Sequence, residues 1–507
     1  MGSRWARGAR AYALAPVRGV AVVAGGVGLV LAVGGIAVAG PWQGGQRSAE
    51  RSAARTAGKD QVSAYGRGGV KVLPRPVPAP RWVPVQPVLA AVDGPAGAAA
   101  GGGADVTTVT PVPTGPGLAR ALAPALSASV LGSVTASVVD AATGRTLYSA
   151  GADTPQQPAS TNKIATSVAA LSLLGPTHRF STTVVSPAPG RIVLVGGGDP
   201  TLTAAATGGA DPQASLATLA DRTATALEAA GTTTVRLDYD ISLFAGPAVH
   251  PIGINPNIAL VQALTVDEGR LDPSSTEDAP RYADPAATGA GTFAALLRKR
   301  GITVQGSPAR TAGPTPATAA ALARVDSQPL AEIVERMLTD SDNDIAEALG
   351  HQVAPASGGP ATFAGAAAAV RQELTGLGIP LGRTTLADSS GLSGADEIPA
   401  AVLTRLLVLA ASPAHPELRA VLSGLPVAGF TGTLDNRYST EGNAAGLGVV
   451  RAKTGSLSTV NTLAGLVLDR DGRLLVFAFM SNGSGDATST RTALDRLAGR
   501  VAVCGCR

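Results

Sequence analysis

The chain has 507 residues, enough for two or three domains with a substantial core, and its formal net charge is +4. That charge is small for the length, and the excess of lysine and arginine lies mostly near the N-terminus, so we expect no nucleic-acid partner. The two cysteines and four histidines form no cluster of the kind that binds zinc, and the sequence implies no metal ion and no organic cofactor.

The first predicted element is a hydrophobic segment near the N-terminus. Residues 1–18 carry four arginines, and residues 19–40 form an uncharged run that is long enough to cross a bilayer as a helix. Ala37-Val38-Ala39 resembles a signal-peptidase site, although the run is longer than the core of a usual signal peptide. The arginines favour a cytoplasmic N-terminus, although the flank after the run is also basic. We therefore expect an extracytoplasmic protein that this transmembrane helix anchors to the plasma membrane, or a secreted protein if the signal is cleaved.

A segment rich in proline, glycine and alanine follows. Residues 41–117 include a proline-rich stretch over 71–80 and a Gly/Ala run over 98–104. Proline-rich stretches are extended and Gly/Ala-rich ones are flexible, so this segment predicts a disordered linker. Folded sequence begins near Leu118, with a helix predicted over 118–131.

The next elements predict a mixed α+β fold. An alternating stretch over 134–140, a turn and a return over 145–148 are typical of a β-hairpin. Residues 188–319 mix short strands, such as 191–195, with helical stretches, such as 216–230, and predict an inserted α/β region.

The first stretch that carries chemistry is Pro158 to Lys163. Ser160 and Lys163 lie three residues apart at the start of an apolar helix, so their side chains share one face and can meet. Burial of that helix would lower the pKa of Lys163 and let the amine accept a proton from Ser160. On its own the spacing is weak, since a surface lysine near a helix N-terminus also produces it.

The second stretch surrounds Ser341 and Asn343. These residues bracket one position, so both side chains can point the same way from a turn and handle a proton and a substrate amide. Capping of the helix that follows would also explain Ser341-Asp342-Asn343.

The third stretch contains Lys453, Thr454, Gly455 and Ser456, on an edge strand. A lysine and a threonine there can fix a substrate carboxylate, and the glycine leaves room for a ligand to lie against the strand. A solvent-facing strand end is the alternative. Two apolar strands over 462–468 and 474–480 and a final helix over 487–501 are predicted after it.

The three stretches together are far more specific than each alone. S-x-x-K, S-D-N and K-T-G, in this order, form the motif set of penicillin-binding proteins and class A β-lactamases. Their neighbours resemble those of class C low-molecular-mass penicillin-binding proteins, which are D-alanyl-D-alanine carboxypeptidases and endopeptidases with a region inserted between the first two motifs. The neighbouring stretches that carry the resemblance are 158–160, 196–202, 341–347, 388–393, 425–429 and 432–434.

The resemblance implies a fold. It predicts a β-lactamase/transpeptidase-like domain, an antiparallel sheet covered by helices, built from residues 118–187 and 320–507. Residues 188–319 are the inserted part, and the anchor and linker fall outside the resemblance.

The resemblance also implies a mechanism. Ser160 attacks a peptidoglycan stem peptide ending in D-Ala-D-Ala, Lys163 acts as base and Ser341 relays the proton to the leaving nitrogen. The backbone N–H groups of Ser160 and Ser456 form the oxyanion hole. β-Lactam antibiotics acylate Ser160. The side chains expected to bind the substrate are those of Asn343, Lys453, Thr454 and Ser456, with Gly455 between them.

The sequence disfavours two other classes of serine hydrolase. A class A β-lactamase lacks so long an insertion and needs a deacylating glutamate that has no clear equivalent here. A Ser-His-Asp hydrolase is disfavoured because there is no G-x-S-x-G elbow and the histidines, expected at surface or core positions, are scattered. The alternative from another class is a non-catalytic wall-binding or scaffold protein of the same fold. The histidines are His178, His250, His351 and His415.

Cys504 and Cys506 end the chain without a predicted catalytic role. They can pair in a very small ring, remain free or link two chains. The sequence leaves open which of these holds, the balance of carboxypeptidase and endopeptidase action, the third residue of the stem peptide, and the oligomeric state.

Overall fold

The computed structural model describes residues 110–208, 212–276, 278–440 and 442–507. The predicted cytoplasmic segment 1–18, the predicted membrane helix 19–40 and nearly all of the predicted linker 41–117 lie outside the described residues. Within these ranges, none of the helices combines the length and the apolar character that a membrane span requires.

The described elements alternate between strands and helices along the chain. The strands are β1 (Ser133–Asp140), β2 (Thr146–Ala150), β3 (Pro155–Gln156), β4 (Ser181–Ala188), β5 (Arg191–Val195), β6 (Thr234–Asp240), β7 (Thr303–Val304), β8 (Ala309–Arg310), β9 (Ala320–Asp326), β10 (Ile398–Pro399), β11 (Val450–Leu457), β12 (Val460–Leu468) and β13 (Leu474–Asn482). The α-helices are α1 (Gly115–Leu126), α2 (Lys163–Leu174), α3 (Leu216–Ala229), α4 (Pro285–Lys299), α5 (Leu330–Asp340), α6 (Asn343–Ala356), α7 (Phe363–Gly376), α8 (Ala400–Ala411), α9 (Arg419–Ser423) and α10 (Ala487–Ala502).

A five-stranded antiparallel sheet in the order β11-β12-β13-β1-β2 carries the third motif on its edge. Both faces of its central strands are apolar, so helices must cover both. On one face Phe477 and Phe479 pack with Leu118 of α1 and Leu497 of α10. On the other face Val476 belongs to the core that α2 and α5 to α9 share. The predicted hairpin is the β1–β2 pair.

A second sheet is formed largely by the predicted inserted region. Its order is β7-β6-β5-β4-β9, with β8 beside β6; β5, β6 and β7 run parallel and β4 pairs antiparallel with β5 and β9. Helices α3 and α4 cover it through Leu219, Phe293 and Leu297. β4 begins before residue 188 and β9 lies after residue 319, so strands on both sides of the insertion complete the sheet.

The first helix differs from its predicted range of 118–131. Helix α1 begins at Gly115 because the Thr114 hydroxyl accepts a hydrogen bond from the Gly117 N–H, and it ends at Leu126. A separate 3₁₀ turn, Ser129–Leu131, follows it. The predicted helices over 216–230 and 487–501 match α3 and α10 to within one residue.

The two ends of the described domain meet. Cys504 and Cys506 form a disulfide, which is one of the three outcomes left open by the sequence. The Thr114 N–H donates to the Cys506 carbonyl at 2.7 Å, just before α1 begins. The C-terminus is thereby tied to the first helix of the domain.

Candidate active site

Ser160 lies on a short 3₁₀ turn, Ala159–Asn162, which leads directly into α2. Ala159 is fully buried with φ +46°, a conformation that costs energy for a residue other than glycine and is often found at functional sites. Lys163 is the first residue of α2, and its Nζ lies 3.0 Å from Ser160 Oγ. The turn therefore brings the two side chains together, although as a 3₁₀ turn rather than the expected α-helix.

Two glycines allow neighbouring segments to close on this turn. A Cβ at Gly391, which has φ +83°, would collide with the Ala159 carbonyl. A Cβ at Gly455 on β11 would collide with the Pro158 carbonyl and with Thr462 Oγ1. The turn over residues 159–162 thus occupies the room that Gly455 provides, and a place for Gly455 in a substrate site stays a prediction.

Lys163 is completely buried and has three hydrogen-bond partners. Besides Ser160, its Nζ donates to Asn343 Oδ1 at 2.7 Å and to the Ser390 carbonyl at 2.8 Å. Burial lowers the pKa of Lys163 to about 8, against the opposing effect of four nearby carboxylates. A lysine with this pKa can accept a proton near neutral pH. The four carboxylates belong to Asp388, Asp342, Glu347 and Asp344.

Ser341 and Lys453 form a second serine–lysine pair in the cleft. Ser341 follows α5 in the left-handed conformation, with φ +63°, and accepts a hydrogen bond from Lys453 Nζ at 2.9 Å. Lys453 is also fully buried and donates to the Thr454 carbonyl. Burial lowers its pKa well below the usual value, and the charge of Lys163 lowers it further.

In the second motif one residue caps the following helix and the two residues beside it line the cleft. The Asp342 side chain caps α6 by accepting the Ile345 N–H at 2.9 Å, which leaves Ser341 and Asn343 for the cleft. The Asn343 amide bridges two partners, because Oδ1 accepts from Lys163 and Nδ2 donates to the Asn257 carbonyl at 3.0 Å. Asn257 belongs to the predicted inserted region, which therefore helps to orient this amide.

The residues of the third motif alternate along β11. Lys453 and Gly455 are buried, whereas Thr454 is half-buried and Ser456 is exposed, as expected for a strand with one face in a cleft. The Thr454 hydroxyl donates to the Thr433 hydroxyl at 2.8 Å. Thr433 lies in the stretch 432–434, which the sequence indicated only through its resemblance to class C penicillin-binding proteins.

A cleft of about 1110 Å³ collects these groups. A second cavity, of about 1190 Å³, lies against α7 and is lined by none of the motif residues. The predicted site residues that line the first cleft are Ser160, Ser341, Asn343, Thr454 and Ser456.

Three buried residues near Lys163 were not among the site residues predicted from the sequence. The Glu347 carboxylate accepts the N–H groups of Ser389 and Ser390 at 3.0 and 2.8 Å, and Asp388 accepts those of Gly391 and Ser393, both at 2.6 Å. The third residue, His250, comes from the predicted inserted region and is discussed below. The spacing of short motifs gave no signal for it, since it lies far from all three in the chain.

Two groups of side chains are close enough to be considered as metal ligands. One contains His250, Glu347 and Asp388, and the other contains Glu268, Asp342 and Asp344. In the first, backbone N–H groups already bind the carboxylates. In the second, arginines provide the partners: Arg281 binds Asp344 at 2.8 Å, and Arg270 and Arg336 bind Glu268. We therefore assign a metal ion to neither group.

Comparisons with known proteins agree with this geometry. The family model for the D-Ala-D-Ala carboxypeptidase 3 (S13) family matches residues 118–280 and 275–502. The chain is 40% identical over 405 residues to Carboxypeptidase DacB of Mycolicibacterium smegmatis, covering 78% of this chain and 86% of that protein. It is 38% identical over 411 residues to Carboxypeptidase Rv3627c of Mycobacterium tuberculosis, covering 79% and 87%.

The fold also matches a solved structure. Penicillin binding protein 4 (dacB) from Haemophilus influenzae superposes with a TM-score of 0.60 at 22% identity, covering 76% of this chain and 97% of that one. The α+β fold of the β-lactamase/transpeptidase type, predicted from the motifs, is confirmed, as is the resemblance to low-molecular-mass penicillin-binding proteins. The chain belongs to the D-Ala-D-Ala carboxypeptidase 3 (S13) family.

Proposed function

We propose that Ser160 forms an acyl-enzyme with peptidoglycan stem peptides that end in D-Ala-D-Ala. The family makes the chain a serine-type D-Ala-D-Ala carboxypeptidase, with endopeptidase action on peptidoglycan as the related activity. The observation that carries the assignment is the contact of 3.0 Å between the Ser160 hydroxyl and a buried Lys163. Family membership gives no support to the alternative of a non-catalytic scaffold.

In the acylation step Lys163 is the base. The Ser160 Oγ–carbon bond forms while Lys163 Nζ takes the hydroxyl proton, and the bond to the terminal D-Ala nitrogen then breaks. The pKa of about 8 makes the neutral amine available near physiological pH. Water then hydrolyses the acyl-enzyme, or an amine takes the acyl group.

Ser341 is suited to return the proton to the leaving nitrogen. Its hydroxyl accepts a hydrogen bond from Lys453 Nζ at 2.9 Å, which leaves the hydroxyl proton free to go to the leaving D-Ala nitrogen, while the proton that Lys163 took from Ser160 replaces it on Ser341. In this arrangement Lys453 acts through Ser341 and is a positioning residue.

Binding of the substrate is assigned to the edge of β11. Thr454 and Ser456 present hydroxyls to the cleft where a terminal carboxylate would lie, and Asn343 faces the acyl side. The backbone N–H groups of Ser160 and Ser456 are proposed to form the oxyanion hole, where loss of one donor typically costs about 100-fold or more in rate. Gly455 lets β11 approach the nucleophile turn closely.

The cellular setting follows from this chemistry. An enzyme that acts on peptidoglycan works outside the cytoplasm, and the hydrophobic run over residues 19–40 is proposed as its membrane anchor or signal. Residues 41–117 would then be the tether, and residues 188–319 an insertion in a catalytic domain formed by 118–187 and 320–507.

The test is covalent labelling of the full-length chain with a fluorescent penicillin, followed by mass spectrometry of the adduct. β-Lactams imitate the D-Ala-D-Ala end, so we expect one adduct on Ser160 that is absent from Ser160→Ala. D-Ala release from a stem pentapeptide should be lost in the same variant. A folded protein that is neither labelled nor able to release D-Ala would support the scaffold alternative.

A further inference from the structure

A histidine from the predicted inserted region lies next to the carboxylates that surround Lys163. His250 follows β6, and its side chain is completely buried. Its Nε2 lies 3.3 Å from Asp388 Oδ2 and 3.6 Å from Glu347 Oε1. The edge-on ring of Phe363, with its centroid 5.1 Å away, fixes the orientation of the imidazole.

The Nε2 atom of His250 is a donor in either protonation state. The Ile252 N–H points at Nδ1 from 3.3 Å, so in the neutral ring the proton belongs on Nε2. In the imidazolium both nitrogens carry protons. Nε2–H therefore faces the carboxylates of Asp388 and Glu347 whatever the charge of the ring.

The same two carboxylates hold the loop that binds Lys163. Glu347 accepts the Ser390 N–H, and the carbonyl of Ser390 accepts a hydrogen bond from Lys163 Nζ. Asp388 holds the next turn of this loop through the N–H groups of Gly391 and Ser393. Displacement of either carboxylate would therefore move an acceptor of the proposed base.

These carboxylates must not raise the pKa of Lys163 so far that the amine stays protonated at the working pH. A buried negative charge near an amine favours its protonated form, and both Asp388 and Glu347 raise the pKa of Lys163. A base must be free of its proton to act. A donor or cation placed on the far side of the carboxylates weakens their effect on the amine.

We propose that His250 is a positioning residue for Lys163: its Nε2 lies at ion-pair distance from Asp388 and Glu347, holds these carboxylates and with them the 388–393 loop, and offsets the charge that would keep Lys163 protonated. The inference rests on the proposed function, in which Lys163 is the base. It gives the inserted region a part in catalysis.

The electrostatics of the cluster agree with this role. Burial acts to lower the pKa of His250, but hydrogen bonds and charge from Asp388 and Glu347 outweigh it and raise the pKa to about 9. Burial and the neighbouring Asp388 raise the pKa of Asp396 to about 9, so Asp396 adds no charge at neutral pH. The titratable groups that face Lys163 are Asp342, Asp344, Glu347, Asp388 and Lys453, and those that face His250 are Glu347, Asp388 and His351.

The experiment measures the acylation rate of the full-length chain by a fluorescent penicillin across about pH 5 to 10. In the wild type the rate should fall as the pH drops through about 8, where Lys163 gains its proton. This fall in rate at low pH is the acid limb of the pH–rate profile. His250→Leu removes the donor, so we expect the midpoint of the acid limb to move up by about one pH unit. At a given pH on the limb the acylation rate should then be about tenfold lower than in the wild type. His250→Gln keeps an N–H donor and should move the limb less.

A matched control is His415→Leu, which removes a half-buried histidine paired with Glu417 and should leave the limb in place. An unmoved acid limb in folded His250→Leu would overturn the inference even if its Tm fell, because a purely structural role lowers stability without shifting the limb. Should His250→Leu not fold, His250→Met, which also lacks an N–H donor, decides by the same criterion. A wild type without any acylation would instead refute the proposed function.

Discussion

Two lysines buried beside one cleft differ in their surroundings. Lys163 and Lys453 are both completely buried, and burial lowers the pKa of each. Four carboxylates lie near Lys163 and oppose that effect, which leaves its pKa at about 8. Near Lys453 the charge of Lys163 lowers the pKa further, and the charge of Asp340 opposes this effect.

The difference shows that burial alone does not make a useful base. If burial alone set the pKa of a lysine, the amine would stay neutral and would have no proton to give back after the bond to the substrate has formed. The carboxylates bring Lys163 back to a pKa near the working pH, where an amine both takes and gives a proton efficiently. Lys453, whose pKa burial holds well below its usual value, is suited to orient Ser341 by hydrogen bonding.

The largest effect is expected from Lys163→Met. Methionine fills a similar buried volume but cannot accept the Ser160 proton, so acylation by a fluorescent penicillin should slow by about a thousandfold. Circular dichroism would show that the variant is folded. Acylation at the wild-type rate would mean that another group is the base.

Lys453→Met should have a smaller effect of a different kind. Ser341 would lose the donor that positions it at 2.9 Å, and acylation should slow by about a hundredfold. The acid limb should stay near the wild-type position, because burial lowers the pKa of Lys453 well below its usual value and so reduces the charge that it exerts on Lys163. A limb displaced to higher pH would show that Lys453 carries a proton and would break the contrast between the two lysines.

Glu347→Gln tests the carboxylates directly. Glutamine keeps an oxygen for the N–H groups of Ser389 and Ser390 but removes a charge that raises the pKa of Lys163. The acid limb should therefore move to lower pH by about one unit, opposite in direction to His250→Leu. Glu332→Gln, an exposed site on α5, is the control, and an identical limb in both variants would mean that the Glu347 charge does not reach Lys163.

The sequence predicted the parts of the site that depend on short spacings. Ser160 and Lys163 meet because three residues separate them, and the alternation of Lys453, Thr454 and Ser456 follows from a strand period of two. The sequence also contained a signal for the early start of α1, because Thr114 is a typical capping residue and Pro116 is favoured in the first turn of a helix.

Tertiary packing decides the rest. His250 and Asn257 reach Asp388 and Asn343 from the predicted inserted region, and nothing in their local sequence indicates where that region folds back. Such contacts bring together residues about 80 or more positions apart, where periodicity carries no information.

A buried charge away from the cleft should affect stability alone. The Asp140 carboxylate on β1 binds Arg473 through two hydrogen bonds of 2.9 and 2.6 Å. Burial opposes ionisation there, but the hydrogen bonds from Arg473 and Thr143 outweigh it and lower the pKa of Asp140. The stabilisation is thus present above the unfolded pKa of about 4 and is lost as the pH falls through the lower folded value.

Asp140→Asn should reduce the free energy of unfolding by about 2 kcal/mol near neutral pH and by less in acid, with acylation unchanged. Equal losses at both pH values, measured by urea unfolding, would assign the effect to packing and not to charge.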